Sequence, residues 1–100
     1  MGGAEIEAKS IAGAKLLVDE PVLGLEPFLR DLGWEVACVS PRTSDDDIVG
    51  RAKADGYIVV TPDRRLLTRC RTLGIEVVDV GFEDLARRVH ETLVAHRAAR

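Results

Sequence analysis

The chain has 100 residues, of which 46% are hydrophobic, 31% charged and 4% aromatic, and its formal net charge is −3. This length and composition indicate one globular domain with an aliphatic core and exclude a fibrous or disordered class. The acidic balance argues against coating of nucleic acid by bulk electrostatics, and no apolar run is long enough to span a bilayer. We therefore expect no membrane partner and a cytoplasmic protein in which Cys38 and Cys70 are buried, reduced thiols.

The first half of the chain predicts two strands joined by a helix. Residues 1–13 lack a clear hydrophobic period, and we interpret them as an N-terminal extension before a single domain at residues 14–100. The first predicted strand covers residues 14–19, and one amphipathic helix with an internal flaw at Gly24 and Pro27 should follow over residues 21–32. A second strand at residues 34–40 alternates in its first half, which is typical of a sheet edge.

The second half continues the alternation of helices and strands. Ser44 is the predicted N-cap of a helix whose first turn carries acids at residues 45–47. A third strand at residues 57–60 leads through residues 61–63 into a third helix, and a fourth strand covers residues 75–80. The last helix has one apolar stripe. The stripe consists of Phe82, Leu85, Ala86, Val89 and Leu93.

The predicted fold is an α/β domain in which four strands alternate with four helices. Right-handed crossovers then give a three-layer α/β/α sandwich around a four-stranded parallel sheet. The first and third strands are the most apolar and should be central, so the predicted strand order is 2-1-3-4. In that order Asp19 and Asp63 face each other across the point where strand order reverses.

Carboxylates at this edge of the sheet are candidate ligands for a hard cation. Asp19 ends the apolar run Leu-Leu-Val, Asp63 follows the third strand, and the cluster Asp45 to Asp47 begins the helix after the second strand. Oxygen donors without histidine favour Mg²⁺ or Mn²⁺ over zinc. A structural alternative is open for two of them, because acids in a first helical turn stabilise the helix without a metal, and Asp63 could follow Thr61 as N-cap.

Three short motifs together resemble the small PIN-like domains. They are Leu-Leu-Val-Asp-Glu, Ser-Asp-Asp-Asp-Ile-Val and Tyr-Ile-Val-Val-Thr-Pro-Asp-Arg-Arg-Leu, and they span about residues 15–80. The resemblance implies a Mg²⁺- or Mn²⁺-dependent ribonuclease that hydrolyses RNA. It implies Asp19, Asp45 and Asp63 as catalytic metal ligands, with Glu20 as the nearest fourth candidate and Asp79 a more distant one. It also makes an antitoxin protein and a homodimer plausible partners.

The sequence departs from the PIN-like pattern at two positions, which keeps other functions open. Arg65 stands where related sequences often carry a further acid, and Glu20-Pro21 stands where an Asn or Ser commonly follows the first acid. One alternative is a non-catalytic interaction module of the same fold with an incomplete metal site. Another is a phospho-acceptor receiver domain, but that class carries a lysine after a late strand, and no lysine follows residue 53.

Basic residues beside Asp63 are candidates for contact with a phosphate backbone. The segment 62–72 carries four arginines against one aspartate, a net charge of +3. We predict that Arg64, Arg65 and Arg69 bind nucleic acid next to the acidic edge. The alternative is a solvated helix face with no ligand.

Overall fold

One parallel sheet organises the domain. The computed structural model describes residues 14–99, so the predicted extension at residues 1–13 lies outside the described residues, as does residue 100. The four strands of the described part are β1 (Lys15–Val18), β2 (Glu35–Cys38), β3 (Tyr57–Thr61) and β4 (Val77–Asp79). They pair in parallel in the order β2-β1-β3-β4. The predicted fold class and strand order are confirmed.

Four α-helices and one 3-10 helix connect and follow the strands. They are the 3-10 helix (Glu20–Leu25), α1 (Glu26–Asp31), α2 (Asp45–Asp55), α3 (Arg64–Thr72) and α4 (Phe82–Ala98). The single helix predicted over residues 21–32 is therefore two helices. Pro27 explains the break, because proline has no N–H to donate and clashes with the preceding turn, so it is tolerated only where a new helix begins.

The core lies on both faces of the sheet. Leu17 of β1 and Val59 of β3 pack with buried side chains of α2 and α3 on one face. Leu16 and Val18 of β1, together with Val60, pack on the other face with the 3-10 helix and α1. The alternation follows from the period of two in a strand, and it makes β1 and β3 the buried centre of the sheet.

The last helix departs from this layered packing. The predicted last helix is present as α4, yet none of its residues is buried. On the sheet face that carries α1, a groove of about 250 Å³ is lined by apolar side chains of β1, β3, β4 and α1 and by Trp34. An amphipathic helix with an exposed apolar stripe and an apolar groove thus lie in one chain, and no residue of α4 lines the groove.

No helix within residues 14–99 is at once long and apolar enough to cross a membrane.

Candidate functional site

Asp19 is the buried acid at the carboxyl end of β1. Its side chain is only 9% exposed, and each carboxylate oxygen accepts a hydrogen bond. The Glu20 N–H donates to Oδ1 at 2.8 Å, which makes Asp19 the N-cap of the 3-10 helix. The Thr61 hydroxyl donates to Oδ2 at 2.7 Å. These two hydrogen bonds offset the free-energy cost of removing the carboxylate from water, and they fix its orientation.

Thr61 connects Asp19 to Asp63. Thr61 is fully buried at the end of β3, and the register pairs Val18 with Val60, which brings residue 19 opposite residue 61. While its hydroxyl donates to Asp19, its Oγ1 accepts the N–H of Asp63 at 3.0 Å. A continuous chain of hydrogen bonds therefore runs from the Asp19 carboxylate to the backbone of Asp63.

Asp63 caps α3. Its Oδ1 accepts the N–H groups of Arg65 at 2.8 Å and Leu66 at 3.3 Å. The suggestion that Thr61 serves as N-cap is wrong, because Thr61 is the last residue of β3 and its hydroxyl is used by Asp19. The side chain of Asp63 is exposed, so the cap leaves Oδ2 with no hydrogen-bond donor among the described residues and open to solvent.

The remaining predicted acids lie along the same edge of the sheet. Ser44 caps α2 by accepting the N–H of Asp47 at 3.1 Å, and Asp45 lies half-buried in the first turn. The Glu20 carboxylate accepts the N–H of Arg42 at 3.2 Å, which ties the end of β1 to the loop after β2. Asp79 ends β4 and pairs in register with Thr61.

The structure brings these acids to one edge but not to one point. Among the residues it describes, no three His, Cys, Asp or Glu side chains form a group that could hold a metal ion. A cavity of about 530 Å³ lies at the opposite, amino edge beside Tyr57 and contains none of the predicted site acids. The chemistry of this region is therefore that of the exposed carboxyl edge rather than of an enclosed pocket.

The arginines of α3 differ in what they contact. Arg69 forms an ion pair with Asp46, which joins α3 to the start of α2. Arg64 lies 3.8 Å from Glu83 with both side chains largely exposed, an arrangement that contributes little to stability. Arg65 has no ion pair among residues 14–99 and is exposed beside the Asp63 cap. Arg65 is thus free to meet a ligand at the acidic edge, Arg64 has only a weak exposed pair to give up, and Arg69 is engaged.

Sequence reasoning missed the role of Thr61. Its hydroxyl organises the site, yet the residue was considered only as a helix cap. The signal was present in the strand lengths, since aligning the apolar ends of β1 and β3 places Thr61, not Asp63, opposite Asp19.

The fold and the site together define a class of protein. It is a parallel α/β domain with a buried acid and a helix-capping acid at the carboxyl edge of its sheet. The family model described as the Mut7-C RNAse domain matches residues 14–99. The chain belongs to this family, and its domain is a small ribonuclease-like domain with RNA as the substrate class. No curated protein and no solved structure matches the chain.

Proposed function

We propose that this protein is a ribonuclease of PIN-like type that depends on Mg²⁺ or Mn²⁺ and cuts RNA at the carboxyl edge of its sheet. The observation that carries the proposal is the orientation of Asp19. A carboxylate 9% exposed, held by donors from Glu20 and Thr61, keeps lone pairs on both oxygens for a further ligand. The family match supports RNA as the substrate.

The donor chemistry of the edge suits a hard cation. Mg²⁺ retains several waters and is often bound by one or two protein carboxylates together with substrate phosphates. Asp19 and Asp63 would supply those carboxylates, with Asp45 and Glu20 along the same edge as further oxygen donors. Because this mode needs only two acids, it does not require a three-acid cluster. The bound ion would supply a Lewis acid for the phosphoryl oxygen and a more acidic water.

The residues of the chain would then divide the work by position. Asp19 is fixed by Thr61 and serves as the oriented anchor, whereas Asp63 is exposed and has Oδ2 available. Arg64 and Arg65, in the first turn of α3, would hold the RNA backbone next to these acids. Arg69 would add to the positive field while paired with Asp46.

A non-catalytic PIN-like module is the second candidate, and two observations favour it. No three-acid group forms within residues 14–99, and Arg65 occupies the position of a further acid. Such a module would bind RNA or an antitoxin-like protein without cutting. For an active nuclease, we propose that an antitoxin protein acts as its regulator. We also propose a cytoplasmic location, where Cys38 and Cys70 stay as free thiols.

RNA cleavage with and without metal tests the proposal. Purified protein should cut single-stranded RNA in Mg²⁺ or Mn²⁺ and lose that activity in chelator, and Asp19→Asn should abolish it. Asp55→Asn is the matched control, because Asp55 ends α2 at the opposite edge of the sheet. Calorimetry should show Mn²⁺ binding to the parent and to Asp55→Asn but not to Asp19→Asn. RNA binding without cleavage in any metal would establish the non-catalytic module instead.

A further inference from the structure

The helix α4 presents an apolar stripe that no described residue covers. Phe82, Leu85, Val89 and Leu93 recur on one side of the helix, and each is 51% to 58% exposed. Together they present on the order of 400 Å² of apolar surface, within the size range of the largest patch on an ordinary monomer. A stripe of this regularity is built to pack against an apolar surface.

The matching surface is the groove on the α1 face of the sheet. It is lined by apolar residues alone, among them Leu16, Ile58, Val78 and Trp34. Val78 in the edge strand β4 is 46% exposed, so the groove is open towards solvent at that edge. A layered α/β fold covers such a face with a helix.

The start of α4 lies towards the other side of the sheet. Only Val80 and Gly81 connect β4 to α4, and Gly81 has an extended backbone, with φ −58° and ψ 133°. Glu83 in the first turn of α4 lies 3.8 Å from Arg64 of α3, whose buried side chains belong to the opposite face from the groove. The two-residue connection thus leads α4 away from its own groove.

We propose that the groove receives the α4 stripe of a second copy of this chain in a reciprocal, two-fold exchange. One chain carries both complementary surfaces, so a two-fold dimer satisfies both stripes and both grooves at once. The exchange would bury both stripes and both grooves, on the order of 1,000 Å² in total, which is the lower limit for a specific interface and fits a dimer that dissociates on dilution. A short connection that disfavours closure within one chain is also the feature that promotes exchange between chains.

Two charge substitutions and a matched control test the exchange in the full chain. By analytical ultracentrifugation from about 1 to 100 µM, a range that suits interfaces of this size, the parent should be a dimer that dissociates on dilution. Val89→Glu on the stripe and Val78→Lys in the groove should each raise the dimer Kd by at least about 100-fold, since each puts a charge into the interface. Ala95→Glu adds the same charge as Val89→Glu outside the stripe and should leave the Kd unchanged.

Mixing the two variants separates exchange from other modes of association. The intact stripe of Val78→Lys can enter the intact groove of Val89→Glu, so the mixture should form dimers that neither variant forms alone. Trp34 is the only tryptophan and lines the groove, so its emission should shift to the blue as the parent dimerises. A dimer that Val89→Glu dissociates but Val78→Lys does not would indicate pairing of α4 with α4 and overturn the groove assignment.

A monomer at every concentration overturns the proposal, whatever the state of Trp34. In that case a buried Trp34 would indicate that α4 closes on its own groove, and an exposed Trp34 would leave the groove to a different partner. Circular dichroism of each variant checks folding, which we expect to be retained because both substituted side chains are exposed in the single chain. None of these measurements depends on nuclease activity, so the exchange can fail while the proposed function holds.

Discussion

The hydroxyl of Thr61 donates a hydrogen bond to Oδ2 of Asp19 at 2.7 Å, across 42 positions of sequence. The bond joins the ends of the two central strands, and the same hydroxyl oxygen accepts the N–H of Asp63. A neutral side chain thus determines the orientation of one acid and the start of the helix that the other acid caps.

We expect Thr61→Val to destabilise the protein by about 1–3 kcal/mol. Valine has nearly the same shape but leaves Oδ2 of Asp19 and the N–H of Asp63 without their partner. Urea denaturation measures the free energy of unfolding. Thr68→Val is the control, because its hydroxyl is exposed and donates only to the Arg64 carbonyl, and it should stay within about 0.5 kcal/mol of the parent.

A double-mutant cycle makes this prediction specific to the pair. If Thr61 and Asp19 act through their shared bond, Thr61→Val combined with Asp19→Asn should cost less than the two single substitutions together, by at least about 0.5 kcal/mol. Strictly additive losses would mean that each residue stabilises the fold independently.

The sequence allowed prediction of the sheet because its signal is local. Runs such as Leu16 to Val18 and Ile58 to Val60 mark central strands, and short connections with one handedness then leave few topologies. The hydrogen bond between Thr61 and Asp19 needs a second, non-local step, because the two residues meet only when the apolar ends of two distant strands are aligned in register. The helical spacing of apolar residues also predicted the helix α4 correctly. It did not predict how α4 packs, since an apolar stripe does not specify which surface will cover it.

Two substitutions of Asp63 should separate its structural role as a helix cap from a chemical role at the site. Asp63→Asn keeps an oxygen that can cap α3, so stability should stay within about 0.5 kcal/mol, whereas Asp63→Ala should cost about 0.5–2 kcal/mol. If the carboxylate also binds the metal, both variants should lose RNA cleavage and stabilisation by Mn²⁺ in thermal melts. Full cleavage by Asp63→Asn would show that Asp63 serves only as the helix cap.

The first-turn arginines of α3 should contribute to RNA affinity through phosphate contacts. Replacing Arg64 and Arg65 together by Ala should lower affinity and reduce the slope of log K against log salt by up to about 1.4 on single-stranded RNA, because each phosphate contact releases about 0.7 counterion. The control is Lys53→Ala with Arg71→Ala, which removes two charges from the far ends of α2 and α3. Binding titrations at several salt concentrations give the slope. Equal slopes for the two double variants would place Arg64 and Arg65 outside the RNA contact.

Cys38 should react slowly with thiol reagents at neutral pH. Partial burial and the hydrogen bond that its Sγ donates to Glu26 at 2.9 Å raise the pKa of the Cys38 thiol. The hydrogen bonds from Cys38 and Arg30 correspondingly lower the pKa of Glu26, so its carboxylate is charged where the thiol titrates. Only the thiolate is nucleophilic, so at a given pH the folded protein holds less reactive Cys38 than an unfolded chain does.

Alkylation by iodoacetamide, followed by peptide mass spectrometry between about pH 7 and 10, measures this effect. The midpoint for Cys38 should lie above that of the unfolded protein, and Glu26→Gln should move it down because the charge that opposes the thiolate is gone. Burial of the thiol is the larger cause and remains, so the shift should be partial. Glu35→Gln, an exposed acid in the same strand, should change nothing. A parent midpoint equal to the unfolded value, or equal profiles for the two Gln variants, would mean that the bond between Cys38 and Glu26 does not persist in solution.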